Sequence, residues 1–114
     1  ALEATKQIIK SYQYSIDLID LRVINPIDIT KIVESVNKTK RLIVIDGGWK
    51  RCGIASDIIS SVVEEIELNT LKSKPINVSL TNCTAPTSSV LEELYYTKSD
   101  DIIKIIKNLL NAEN

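Results

Sequence analysis

The sequence contains no histidine, no phenylalanine and no methionine, and it holds only three glycines, three prolines and two cysteines in 114 residues. Without histidine neither a Ser-His-Asp nor a Cys-His arrangement can be assembled, and acid-base work would fall to carboxylates, lysines and tyrosines. The two cysteines, Cys52 and Cys83, stand far apart and cannot complete a four-ligand zinc site of the Cys/His kind. They are read as buried or idle thiols in a reducing compartment. Apolar runs such as Leu42 to Ile45 fall far short of the roughly 20 residues that a membrane-spanning helix needs. A formal net charge of −1 and a pI near 5.4 give no basic footprint, so neither nucleic acid nor an anionic membrane is expected as a main partner.

What is present suits one globular domain over residues 1–114, with 44% hydrophobic and 25% charged residues. The chain begins Ala1-Leu2-Glu3-Ala4, with no signal or transit pattern, and reads as starting inside a helix that runs to about residue 11. Lys6 and Lys10 are expected to face outward. Ser15 to Leu21, with Ile16, Leu18, Ile19 and Leu21, is expected as a strand that Asn25-Pro26 ends. Asp28 is placed to cap a helix whose Ile29, Ile32, Val33 and Val36 fall at i, i+3, i+4 and i+7, ending near Lys38 to Lys40. Leu42 to Ile45 then reads as a strand covered on both faces, inside a parallel sheet.

Further on, Ile54, Ile58, Val62 and Ile66, with Ile59 and Val63 widening the stripe, predict a second amphipathic helix. Ile76 to Leu80 alternates apolar and polar residues, as a strand exposed on one face and lying nearer the sheet edge would. Ser89 to Glu92 fits a capping box for a short helix to about Tyr96, whose Tyr95-Tyr96 pair reads as packing. Ser99-Asp100-Asp101 opens the last helix, with Ile102, Ile105, Ile106 and Leu109 inward and Lys104 and Lys107 late enough to suit the helix dipole. Alternating strands and helices mean parallel pairing, hence an α/β fold in the form of a three-layer α/β/α sandwich with a mostly parallel sheet.

One stretch is worth weighing for chemistry. Asp46, Gly47, Gly48, Trp49, Lys50, Arg51, Cys52 and Gly53 follow a central strand and lead into a helix, where open α/β sheets usually bind ligands. A helix N-terminus beside Lys50 and Arg51 suits an anion. The glycine spacing fits neither the dinucleotide fingerprint nor the phosphate loop of NTPases. The plainer reading is favoured: the glycines permit a tight turn and close helix–strand approach, and Trp49 fills an interface or core edge. Asp46 and Asp57 invite comparison with a catalytic carboxylate pair, but Asp57 reads as an outward charge in a first helical turn. No catalytic, cofactor-binding or metal-binding residue is assigned.

The residues from Ile19 through Asp28 (IDLRVINPID) and from Ile32 through Trp49 (IVESVNKTKRLIVIDGGW) resemble the C-terminal domain of beta subunits of thiamine-diphosphate-dependent 2-oxoacid dehydrogenases. The resemblance runs from residue 1 to about 66 and resumes at Leu91-Glu92-Glu93. The Gly48-Trp49 pair is more similar to the pyruvate dehydrogenase branch than to the branched-chain one. Such a resemblance implies a transketolase C-terminal domain that helps assemble a heterotetramer with an alpha subunit and a second beta subunit, and that docks a lipoyl-bearing acyltransferase. It implies thiamine diphosphate and magnesium in the full enzyme, held by the preceding domain and the alpha subunit and not by this domain, which alone would be inactive. It implies a mitochondrial matrix, plastid or bacterial cytoplasmic location. The competing reading is a regulatory anion- or nucleotide-binding module of another transketolase-family enzyme.

Three departures from the family pattern stand out. The Asp-x-Pro-x-Pro loop is represented by Asn82-Cys83-Thr84-Ala85-Pro86, Gly-Trp-Pro becomes Gly48-Trp49-Lys50, and the Gly-x-Gly helix start is reduced to Gly53-Ile54-Ala55. The resemblance also implies a strand ahead of the first helix that would lie between Ser15–Leu21 and Leu42–Ile45. A piece lacking it is expected to self-associate or to borrow a strand, because unpaired inner edges attract another chain.

Overall fold

The computed structural model describes residues 6, 7, 10, 15–21, 28–67, 69–80 and 98–111. Lys6, Gln7 and Lys10 are helical and exposed, in keeping with a first helix that turns its lysines outward. The other elements are α1 (Thr30–Thr39), β1 (Ile43–Trp49), α2 (Ile54–Glu65), β2 (Ile76–Leu80) and α3 (Ser99–Asn111). The turn expected at Asn25-Pro26 and the helix expected at Ser89 to Tyr96 lie outside the described residues.

The core follows from the i, i+4 spacing. Ile32 and Val36 of α1 meet Ile58 and Val62 of α2, and Leu42 at the entry to β1 closes the cluster. Val36 and Val62 are the largest side chains sealed almost completely from solvent. Leu21, Val33, Val44, Ile54, Ile59, Ile66 and Leu71 pack around them. Val63 widens the stripe less than its spacing suggests and stays 42% exposed.

β1 and β2 pair in parallel, with Ile43 opposite Ile76, Val44 opposite Asn77 and Ile45 opposite Val78. α2 connects them and packs on both strands, which makes a βαβ unit, while α1 packs beside α2. The ladder is closed at its start by Ile76 N–H donating to the Leu42 carbonyl at 3.0 Å. Among the described residues the sheet has these two strands. Leu42 is buried, but Ile45 is 40% exposed, so the strand is not covered on both faces along its whole length as its apolar run suggested. β2 corrects its own expectation in the opposite sense. Asn77 and Ser79 are half-buried and not fully exposed, Asn77 meeting Ser56 in the first turn of α2 and Ser79 meeting Asn77.

Ser15 to Leu21 was expected as a strand, and the chain there forms no regular element. The reason is visible in its pattern. Ile16 and Leu18 keep a period of two, but Ile19 and Leu21 fall out of phase with them, so no single face is apolar. Leu18 and Ile19 are 46% and 39% exposed. Asp17 instead ties the segment to α1, accepting from the Ser35 hydroxyl at 2.9 Å and facing Lys38 Nζ at 3.5 Å. Leu21 then reaches the core.

The helix ends are built from local chemistry. Asp28 Oδ1 accepts from the Thr30 N–H at 3.0 Å, one residue ahead of the N-cap position at Ile29. α1 stops at Lys40, which takes the left-handed conformation (φ 63°, ψ 14°) and donates its N–H to the Val36 carbonyl. At α3 the Asp101 carboxylate accepts from the Lys98 N–H at 3.1 Å, one half of a capping box, while the Lys98 carbonyl accepts the first helical bonds from the Asp101 and Ile102 N–H groups. Ile102 and Leu109 are the buried residues of α3, with Ile105 and Ile106 half-buried.

Candidate functional site

The stretch from Asp46 to Gly53 lies at the carboxyl end of β1 and leads into α2, as its sequence position suggested, but its internal structure differs from a loop. β1 continues through Asp46, Gly47 and Gly48 to Trp49. Four steps along β1, from Ile45 to Trp49, match two steps along β2, from Val78 to Leu80, so the strand bulges here. The Asp46 carboxylate fixes the bulge from within, its Oδ1 accepting from the Gly48 N–H at 3.0 Å. A bulge at a strand end is a common way to re-aim the chain, and here it directs the next residues over the ends of both strands. Lys50 N–H reaches back to the Leu80 carbonyl at 3.4 Å.

Neither glycine of the bulge needs left-handed backbone, since none of the three glycines has positive φ. A Cβ built on Gly47 meets nothing, whereas one built on Gly48 sits 3.3 Å from Asp46 Oδ2. Of these two glycines Gly48 is the one in close contact, and its neighbour is the Asp46 carboxylate of the same strand, not a helix as the expected close helix–strand approach would require. The left-handed residue of the turn is Cys52 (φ 53°), an exposed free thiol, so of the two expectations for it, buried or idle, burial does not hold. Cys83 lies outside the described residues, as does the side chain of Trp49. Gly53 is the N-cap residue of α2, and Ala55, where the family pattern carries glycine, is fully buried. A small residue is what that packing allows.

Beneath the turn runs a chain of polar contacts that the sequence analysis did not single out. Ser56 of α2 donates its hydroxyl to the Lys50 carbonyl at 3.2 Å, and Asn77 Nδ2 of β2 donates to Ser56 Oγ at 3.2 Å. Ser79 donates in turn to Asn77 Oδ1. The signal for it was the alternation of β2, which puts Asn77 and Ser79 on one face; assigning that face to water hid it. Lys50, Arg51 and Cys52 project from the turn as exposed residues, and Asp57 is an exposed charge in the first turn of α2. The structure thus gathers Asp46, Gly48, Lys50 and Ser56 into one hydrogen-bonded turn, with the Lys50 and Arg51 charges left at its surface. Chemically this is a shaped backbone corner. Among the described residues no three histidine, cysteine or acidic side chains come together as a metal site would need.

An α/β domain with a parallel βαβ unit of this kind defines a class, and comparison with known proteins gives the family within it. The protein-family model for the transketolase C-terminal domain matches residues 1–102. This chain belongs to that family. It is similar to the mitochondrial pyruvate dehydrogenase E1 component subunit beta of Ascaris suum, 28% identical over 113 residues that make up 99% of this chain and 31% of that protein. It is 34% identical to the subunit of the same name from Rattus norvegicus over 83% of this chain and 26% of that protein. The Saccharomyces cerevisiae subunit is 28% identical over 99% of this chain and 31% of its own length. The chain spans between a quarter and a third of the length of these relatives.

Proposed function

We propose that this domain works as the assembly and partner-docking part of a pyruvate dehydrogenase E1 beta subunit. In that setting it joins an alpha subunit and a second beta subunit in a heterotetramer and presents a surface to the lipoyl-bearing acyltransferase. The observation that carries the reading is similarity to subunits of that one name along 99% of this chain. The printed names of those relatives place them in mitochondria, and a mitochondrial matrix location is proposed here on that ground. The oxidative decarboxylation itself would belong to the assembled enzyme, where bound thiamine diphosphate would supply the electron-sink chemistry. In this reading the cofactor and its magnesium ion would be held by the preceding domain of the beta subunit and by the alpha subunit, not by this domain. This chain's contribution is a βαβ unit with a hydrogen-bonded corner, the kind of scaffold on which a subunit contact can be held in place.

The test is affinity capture of the polypeptide that carries this sequence from its native source. A pyruvate dehydrogenase E1 alpha subunit and a lipoyl acyltransferase are expected among the captured proteins at near-stoichiometric amounts, and the captured assembly should release carbon dioxide from pyruvate with ferricyanide added as electron acceptor. Capture of neither would overturn the reading. The competing role as an anion-binding module predicts saturable binding of inorganic phosphate in a titration calorimeter, lost when Lys50 and Arg51 are both replaced by alanine.

A further inference from the structure

We draw no further inference here: the strongest candidate, the turn from Lys50 to Gly53 ahead of α2, rests on a helix N-terminus beside a lone exposed cysteine, and nothing else in the structure points to a ligand there.

Discussion

The inner turns of α2 and its first turn meet the rest of the molecule in different ways. Ile58 and Val62 are enclosed by Ile32, Val36 and Leu42, with no polar atom needed to fix them. Two residues before Ile58, Ser56 lies under the Lys50 carbonyl and against the Asn77 amide, and the shape of the turn depends on hydrogen bonds. Apolar burial is worth roughly 25 cal/mol per Å² and tolerates small displacements. A hydrogen bond nets about 1 kcal/mol, and its geometry fails within a few tenths of an ångström. The first region therefore sets how stable the domain is, and the second sets the form of its surface.

The sharpest test sets one substitution from each region side by side. Ile58→Ala leaves a cavity in the core and is expected to cost about 2–5 kcal/mol. Ser56→Ala removes one hydroxyl from a half-buried network and should cost about 1 kcal/mol. Urea unfolding of both variants measures the difference. Equal losses would mean that the turn carries as much of the stability as the core, and the comparison would fail.

A second pair works within the turn. Gly48→Val places a branched side chain against the Asp46 carboxylate that accepts the Gly48 N–H, and it should cost about 1–3 kcal/mol. Lys50→Ala removes an exposed side chain and should stay within about 0.5 kcal/mol. Thermal melts that coincide for the two would show that the bulge yields freely, and that its glycines have no structural role.

The contrast between the regions also explains what could be read in advance. At the centre of each helical stripe the sequence carried the answer: Ile32 and Val36, Ile58 and Val62, and Ile102 and Leu109 are buried as their periods required, while Val63 at the margin is not. β2 runs from Ile76 to Leu80, the span its alternation gave, and α3 opens at Ser99 as its acids suggested. Failures came where polar contacts decide. Ser15 to Leu21 was read from its apolar content, but Asp17 has partners on α1 and the apolar residues change phase. β1 was read as ending before its glycines, yet a strand can pass through a bulge when an aspartate closes it, and spacing alone does not reveal that. The position of the candidate turn was legible. The tight turn was credited to the glycines, while the structure puts its left-handed residue at Cys52.

Left-handed backbone gives a smaller test, in the opposite direction. Lys40 ends α1 at φ 63°, a conformation that costs an L-residue about 1–2 kcal/mol and glycine almost nothing. Part of that gain is offset by the greater freedom of glycine in the unfolded chain, by about 0.4–1 kcal/mol. Lys40→Gly is therefore expected to stabilise the domain by roughly 0.5 kcal/mol, read as a higher urea midpoint at unchanged slope. A lower midpoint would mean that the Lys40 side chain makes contacts worth more than the relief of its backbone.

The smallest expected effect is a dependence on pH at the start of α1. Hydrogen bonds from the Thr30 hydroxyl and the Thr30 N–H, with a lesser contribution from the Lys31 charge, hold the Asp28 carboxyl below its ordinary value. Its folded value is thus depressed relative to the unfolded chain, where an aspartate titrates near about pH 4. The stabilisation from its charge is fully present above that unfolded value and is lost as pH falls through the lower folded one. Asp28→Asn keeps an oxygen that can accept from Thr30 but carries no charge. The gap in urea midpoint between the parent chain and this variant should accordingly be constant above about pH 5 and shrink steadily as the solution is taken below about pH 4. Because Asp28 is exposed, salt should shrink the part of the gap that comes from Lys31 and leave the hydrogen-bonded part in place. A gap that stays the same from pH 5 to pH 2 would show that Asp28 acts at this helix end through its shape alone.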